Sequence, residues 1–139
     1  MGLILDSSVL IADERGKFDM AALLLGTAPE ETFMAAISAS ELLHGVERAD
    51  DQRLQAKRRA HVEQTLFKVS VISFDLAMAR VHARIWADLA SRGQMIGTHD
   101  LLIAATAIYG RHGVATLNVT EFQRVKDLTV IDAGPYSRL

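Results

Sequence analysis

The chain contains no cysteine. That one absence excludes disulfides, thiolate zinc sites, iron–sulfur clusters and cysteine nucleophiles together, and leaves oxygen and imidazole to carry any chemistry. Aromatic residues make up only 6%, and they do not interleave with the basic ones, so no platform for stacking bases is indicated. No run approaches the roughly 18 uncharged apolar residues that a membrane-spanning helix needs. The opening Met1-Gly2-Leu3-Ile4-Leu5-Asp6 has no basic flank, and an acid interrupts its apolar run. It reads as a first strand rather than a signal peptide, with a cytoplasmic location as the default expectation. Nor is there an excess of one charge. A formal net charge of -2 and a pI near 6.2 exclude coating of nucleic acid by bulk charge, so a phosphate partner must meet a local basic patch or bound cations.

What is present is a chain of 139 residues, 50% apolar, which fits a single domain over residues 1–139 with a real core. Leu3 to Leu5 reads as a buried strand, with Ser7 and Ser8 able to cap a helix beginning near Val9. A short helix over Met20 to Leu25, stopped by Gly26, precedes a strand from Thr32 to Ile37 and a helix opening at Ser38. Helical patterning to about Ala49 and again from Arg53 to Leu66 predicts a helical hairpin. Lys68 to Phe74 alternates as a third strand. Asp75 then caps a helix running to Arg92, with Gly93 as its stop and Met78, Val81, Ile85 and Leu89 as its apolar stripe. Leu101 to Tyr109 is apolar nearly all round, as a core helix should be. Val114 to Leu117 and Leu128 to Ile131 complete a mostly parallel sheet of four to five strands with helices on both faces, an α/β three-layer sandwich.

Three acids each follow an apolar run: Asp6 after the first strand, Glu41 after the second, and Asp100 at the mouth of the core helix. Open α/β sheets place their sites at the carboxyl ends of strands, and like charges gathered there repel unless a cation holds them, so the pattern points to a metal site. Each acid also has a simpler reading. Asp6 could be a helix cap. Ser38-Ala39-Ser40-Glu41 matches a capping box. Asp100 could be a favourable charge in a first helical turn, worth about 0.3 to 1 kcal/mol. Glu41 with His44 forms the Glu-x-x-His pair of di-iron bundles, but that site needs a second pair, which the chain lacks.

After the fourth strand, Thr116, Asn118 and Glu121 offer a hydroxyl, an amide oxygen and a carboxylate, or else an Asn turn leading into a helix capped by Thr120. Their joint occurrence with the three acids on one expected rim favours the metal reading. His99 reads as a rim histidine, since hard cations prefer oxygen. Arg48, Arg53, Lys57, Arg58 and Arg59 read as a solvated helical face or a phosphate contact, and Trp86, Tyr109 and the methionines as core.

The segments Leu5-Asp6-Ser7-Ser8-Val9-Leu10-Ile11, Ser38-Ala39-Ser40-Glu41-Leu42-Leu43-His44-Gly45 and Ile96 to Ala107, with Thr116-Leu117-Asn118 and Glu121-Phe122, make the chain similar to the PIN-domain ribonucleases. Within them it resembles the VapC-type toxins of bacterial toxin–antitoxin pairs. The resemblance implies a PIN-like fold and a divalent-metal-dependent endoribonuclease using Mg2+, with Mn2+ able to substitute. It implies Asp6, Glu41 and Asp100 as catalytic and metal-binding acids, with Asn118 or Glu121 at the fourth position, and a homodimer neutralised by a small antitoxin protein. Many members carry Asp where this chain has Asn118, and Lys126-Asp127 stands where Pro-Gly is often found. Hard oxygen ligands suit Mg2+ or Mn2+, whose water attacks a phosphodiester without a protein nucleophile. By position, Ser8 and Thr116 would support the acids or touch substrate. The hairpin around Arg48 to Leu66, with His61 and Phe67 near its end, suits a protein-binding surface. The alternatives are a housekeeping RNA-processing nuclease of the same family, a receiver-like signalling domain, and a catalytically silent interaction module whose acids are only caps.

Overall fold

The computed structural model describes residues 1–138; Leu139 lies outside them. Five strands form one sheet, in the order β3-β2-β1-β4-β5: β1 (Leu3–Leu5), β2 (Thr32–Ala35), β3 (Ser70–Ile72), β4 (Gly113–Thr116) and β5 (Val130–Asp132). Every pairing is parallel, with Leu5 opposite Ala115 and Ile4 opposite both Phe33 and Val114. The helices that connect them are α1 (Ser7–Glu14), α2 (Met20–Thr27), α3 (Ala36–Glu47), α4 (Gln52–Lys68), α5 (Leu76–Ser91), α6 (Thr98–Gly110) and the short α7 (Val119–Phe122). A 3-10 turn follows at Gly134–Tyr136.

Because side chains alternate across a strand, the first strand serves two cores. Leu3 and Leu5 pack with Val9, Leu10, Leu23, Leu42, Val46 and Val62 on the face covered by α1 to α4. Ile4 packs with Leu89, Leu101, Ile103, Ala107 and Phe122 on the face covered by α5, α6 and α7. Each of these three strand residues is almost fully buried, worth ~1.5–3 kcal/mol apiece relative to exposure. The central position of β1 therefore comes from an uninterrupted apolar triplet that no edge strand could use. The sheet is wholly parallel, where the sequence pattern required it only to be mostly so.

Several boundaries differ from the sequence expectation, each for a local reason. Helix α1 starts at Ser7, and its cap is Asp6 rather than either serine: Asp6 Oδ1 accepts from Ser7 N at 2.8 Å. Helix α3 starts at Ala36, two residues before Ser38, and Ala35 at its N-cap offers no side-chain bond. Ser38 is thus inside the first turn and Glu41 in the second, too far along to fold back on the cap, so the capping box does not form. Helix α2 runs past Gly26 to Thr27 and stops at Ala28, which takes the left-handed conformation at φ 44°. Asp75 and Gly93 bound α5 as the sequence predicts, with Asp75 Oδ1 accepting from Met78 N at 3.0 Å.

The aromatic assignments need correction. Trp86 is 54% exposed. It follows Ile85, so it points about 100° away from the buried stripe of α5 and lies in edge contact with His82, which in turn meets Phe74. Tyr109, in the last turn of α6, is also exposed, as are Met1 and Met95, whereas Met34 and Met78 are core.

Candidate active site

Along the sheet the chain moves outward from β1 through β2 to β3 on one side, and through β4 to β5 on the other. The order reverses between β1 and β4, and in open α/β sheets the crevice beyond the carboxyl ends at such a reversal receives ligands. Asp6 directly follows β1 there and Thr116 ends β4. Asp6 is 2% exposed. Its Oδ2 accepts from Thr116 Oγ1 at 2.8 Å and from Ser8 Oγ at 2.7 Å. Both hydroxyls are themselves oriented from the other side: Asn118 N donates to Thr116 Oγ1 at 2.8 Å and Leu117 N to Ser8 Oγ at 3.1 Å. Two relays thus run from the loop after β4 onto one carboxylate. Asp6 is both a cap and the centre of the rim, two roles that in sequence look like alternatives.

Glu41 enters from α3. Ser7 Oγ lies 3.1 Å from Glu41 Oε1 and 2.8 Å from Ser38 Oγ. A hydroxyl has one proton to give, so Ser7 donates to the carboxylate while Ser38 donates to Ser7. His99, an exposed rim residue as expected, places Nδ1 3.0 Å from the same Glu41 oxygen. In sequence, Ser7 and Ser38 suggest only capping duties. The signal available was their position: each is a hydroxyl adjacent to, or one helical turn before, a rim acid.

Asp100 and Glu121 form the third group. Asn118 Nδ2 donates to Asp100 Oδ2 and to Glu121 Oε2, both at 3.1 Å. Asn118 is the N-cap residue of α7 but makes no side-chain cap bond, and its Nδ2 is directed at the two acids; Thr120, inside α7, is not the cap. Burial, the hydrogen bond with Glu121, and the negative charges of Asp6 and Glu121 push the Asp100 carboxyl up to about 7. Glu121 moves the other way, held below its usual range by that bond with Asp100 and further by Gly97, Asn118 and Arg124. Phe122, fully buried, anchors α7 beneath them.

Apart from the imidazole of His99, the rim's candidate ligands are oxygens, with carboxylates from four separate elements and a carboxyl proton held at unusually high pH by burial and crowding. That chemistry fits a hard divalent cation. Asp6, Glu41, Asp100 and Glu121 face one rim, but among the described residues no three acid or imidazole groups are drawn around a single point. An ion would recruit carboxylates that hydroxyls, an amide and one another hold here.

The receiver-like alternative does not survive the topology. Receivers share the flavodoxin-like order 2-1-3-4-5, whereas this sheet runs β3-β2-β1-β4-β5.

The wholly parallel α/β sandwich with acids at its reversal point is that of a PIN domain. The chain belongs to that family, whose sequence profile, described as PIN domain, matches residues 3–128. It is 37% identical over 131 residues to Ribonuclease VapC1 of Rickettsia felis, across 94% of this chain and 96% of that protein. It is 35% identical to Ribonuclease VapC of Rickettsia bellii over the same shares. Among solved structures it is similar to DNA-bound VapBC from Salmonella typhimurium, at a TM-score of 0.85 and 24% identity, across 95% of this chain and 98% of the other.

Proposed function

We propose that this protein is a divalent-metal-dependent endoribonuclease, the toxin of a toxin–antitoxin pair, working as one PIN-like domain over residues 1–139. Asp6, Glu41 and Asp100 are its catalytic and metal-binding acids. The observation that carries the reading is the crowding of Asp100 against Glu121 and Asn118 beside Asp6, with no lysine or arginine forming an ion pair with any of these acids among the described residues. Such a rim gains stability from a cation. The similarity to ribonucleases over nearly the full chain supplies the substrate class.

When bound, Mg2+ or Mn2+ supplies positive charge and a water acidic enough to attack a phosphodiester. The protein's part is positional. Ser8 and Thr116 hold the Asp6 carboxylate in one orientation, and Ser7 does so for Glu41. Asn118 keeps Asp100 and Glu121 together, so Glu121 serves the fourth position and Asn118 orients it. Asp100 must lose its proton before it can contribute full charge. His99, beside Glu41, is placed to contact a phosphate at the mouth. A small antitoxin protein and a homodimer complete the reading; a similar structure from Mycobacterium tuberculosis, 27% identical with a TM-score of 0.74, is described as a member of the VapBC family of toxin–antitoxin systems. No helix is long and apolar enough to cross a membrane among the described residues.

The test is cleavage of RNA by the purified protein with and without Mn2+, run beside Asp100→Asn. Metal-dependent cleavage lost in the variant is the expected result. Cleavage that persists in Asp100→Asn, or that ignores the metal, overturns the assignment.

A further inference from the structure

A small cavity of about 40 Å3 opens between α1, α3 and α4, lined by Glu14, Arg15, Glu41, Gly45, Arg48 and Arg58 with three apolar residues behind them. Its upper lip is Glu41, one of the rim acids. Three of the lining residues are arginines. Arg58 is turned inward and committed: Nη1 donates to Gly45 O at 3.0 Å, and Nε lies 3.7 Å from Glu14 Oε1. Arg15 and Arg48 are exposed and make no ion pair among the described residues. The volume suits about three waters, or one tetrahedral oxyanion.

Gly45 is the second observation. It sits inside α3 with ordinary helical backbone, where glycine is the poorest helix former after proline. A Cβ placed on it would meet nothing within 4 Å, so no packing within the chain calls for its small size. Glycine in such a position leaves room for something that approaches the helix from outside. It follows Glu41 by four residues, on the same helix face and one turn away.

We propose that this cavity is a second phosphate subsite, in which Arg15 and Arg48 bind a backbone phosphate of the RNA strand whose neighbouring phosphate lies at the acid rim, with Gly45 leaving the space. The inference rests on the ribonuclease reading for where the cut falls. The two helical turns from Glu41 to Arg48, roughly 10 Å, match the scale of a nucleotide or two of strand. Backbone phosphates are the natural ligand for unpaired guanidinium groups, and bonds of this kind position the strand without reading its sequence.

The test uses the full chain and a short, labelled single-stranded oligoribonucleotide, with EDTA for binding and Mn2+ for cleavage. Arg15→Ala combined with Arg48→Ala is expected to weaken binding ~10-fold. The plot of log affinity against log salt should flatten by about 0.7 for each phosphate that the arginines no longer neutralise. Arg48→Lys should keep the salt slope. Gly45→Leu should weaken RNA binding with no fall in melting temperature, an outcome a purely structural glycine would not give. Unchanged affinity in the double variant overturns the subsite, as does a weakened affinity with an unchanged salt slope, or a lowered melting temperature in Gly45→Leu. An effect of the double variant on a protein partner alone, or on inorganic phosphate alone, also overturns it. If the wild type cuts RNA with the same KM as the double variant, the subsite fails and the ribonuclease reading stands. If it binds RNA through these arginines but cuts nothing, the ribonuclease reading fails and the subsite stands.

Discussion

Asp6 Oδ2 and Thr116 Oγ1 lie 2.8 Å apart although 110 residues separate them in the chain. The bond ties the ends of β1 and β4 together and makes the threonine hydroxyl the link between a strand end and a carboxylate. Thr116→Val keeps the shape but leaves Asp6 with one hydroxyl fewer and Asn118 N without its acceptor. A loss of about 1–3 kcal/mol in urea unfolding is expected, with Mn2+ binding weakened. Thr116→Ser should restore both. Equal stability in the Val and Ser variants would sink the claim.

The pH dependence follows from Asp100. Its carboxyl is pushed up to about 7 from an ordinary value of 3.8, so within that interval the folded chain binds more protons there than the unfolded chain does. Metal-free stability from this group therefore falls as pH rises from about 4 to about 7. Glu121, moved below its ordinary 4.5, acts oppositely: its contribution is present above that value and is lost on acidification. Melting temperatures of the metal-free wild type should decline across the neutral side of this window, while those of Asp100→Asn stay flatter. Mn2+ should raise the wild-type melting temperature more near about pH 8 than near about pH 5.5, because binding displaces the Asp100 proton. Parallel curves for the two proteins would refute the assignment of this titration to Asp100.

Ser7→Ala tests the second hydroxyl chain. It strips Glu41 of a donor and leaves the Ser38 hydroxyl, which is fully buried, without a partner. The expected cost is about 1–3 kcal/mol, accompanied by slower RNA cleavage. Adding Ser38→Ala should recover part of the stability and none of the cleavage. Full cleavage by the single variant would show that Glu41 needs no such support.

Asp75→Ala provides a contrast remote from the rim. It removes the cap bond to Met78 N and should cost about 1 kcal/mol while leaving Mn2+ affinity as in the wild type. A change in metal affinity would mean that loss of stability alone disturbs the rim, and the Thr116 and Ser7 effects would then reflect stability rather than positioning.

Much of this arrangement is legible in the chain because apolar runs ending in acids are a local pattern. Asp6 and Asp100 could be placed from the runs that precede them, and Asp75 and Gly93 bound a helix by chemistry confined to a few residues. What failed depended on partners distant in sequence. The pattern Ser38 to Glu41 looks like a cap, but α3 begins earlier and Ser38 is taken by Ser7 from another element. The role of Asn118 could not be read either, since an amide that holds two acids looks, in sequence, like one that begins a turn. Trp86 misled for a geometric reason: it is one residue from the buried stripe, and one residue is about 100° of helix. The basic segment divides in the same way, with Arg58 drawn onto Gly45 O while Arg48 makes no ion pair among the described residues.

The central pairing of β1 with β4 also sets when the rim can exist. Asp6 is made more than 90 residues before its partners in α6, β4 and the loop beyond. A nascent chain lacks the complete acid rim until that last third has emerged and the first strand has found its late neighbour. Synthesis itself thus keeps the site unassembled, and the rim forms in one step when β1 and β4 meet.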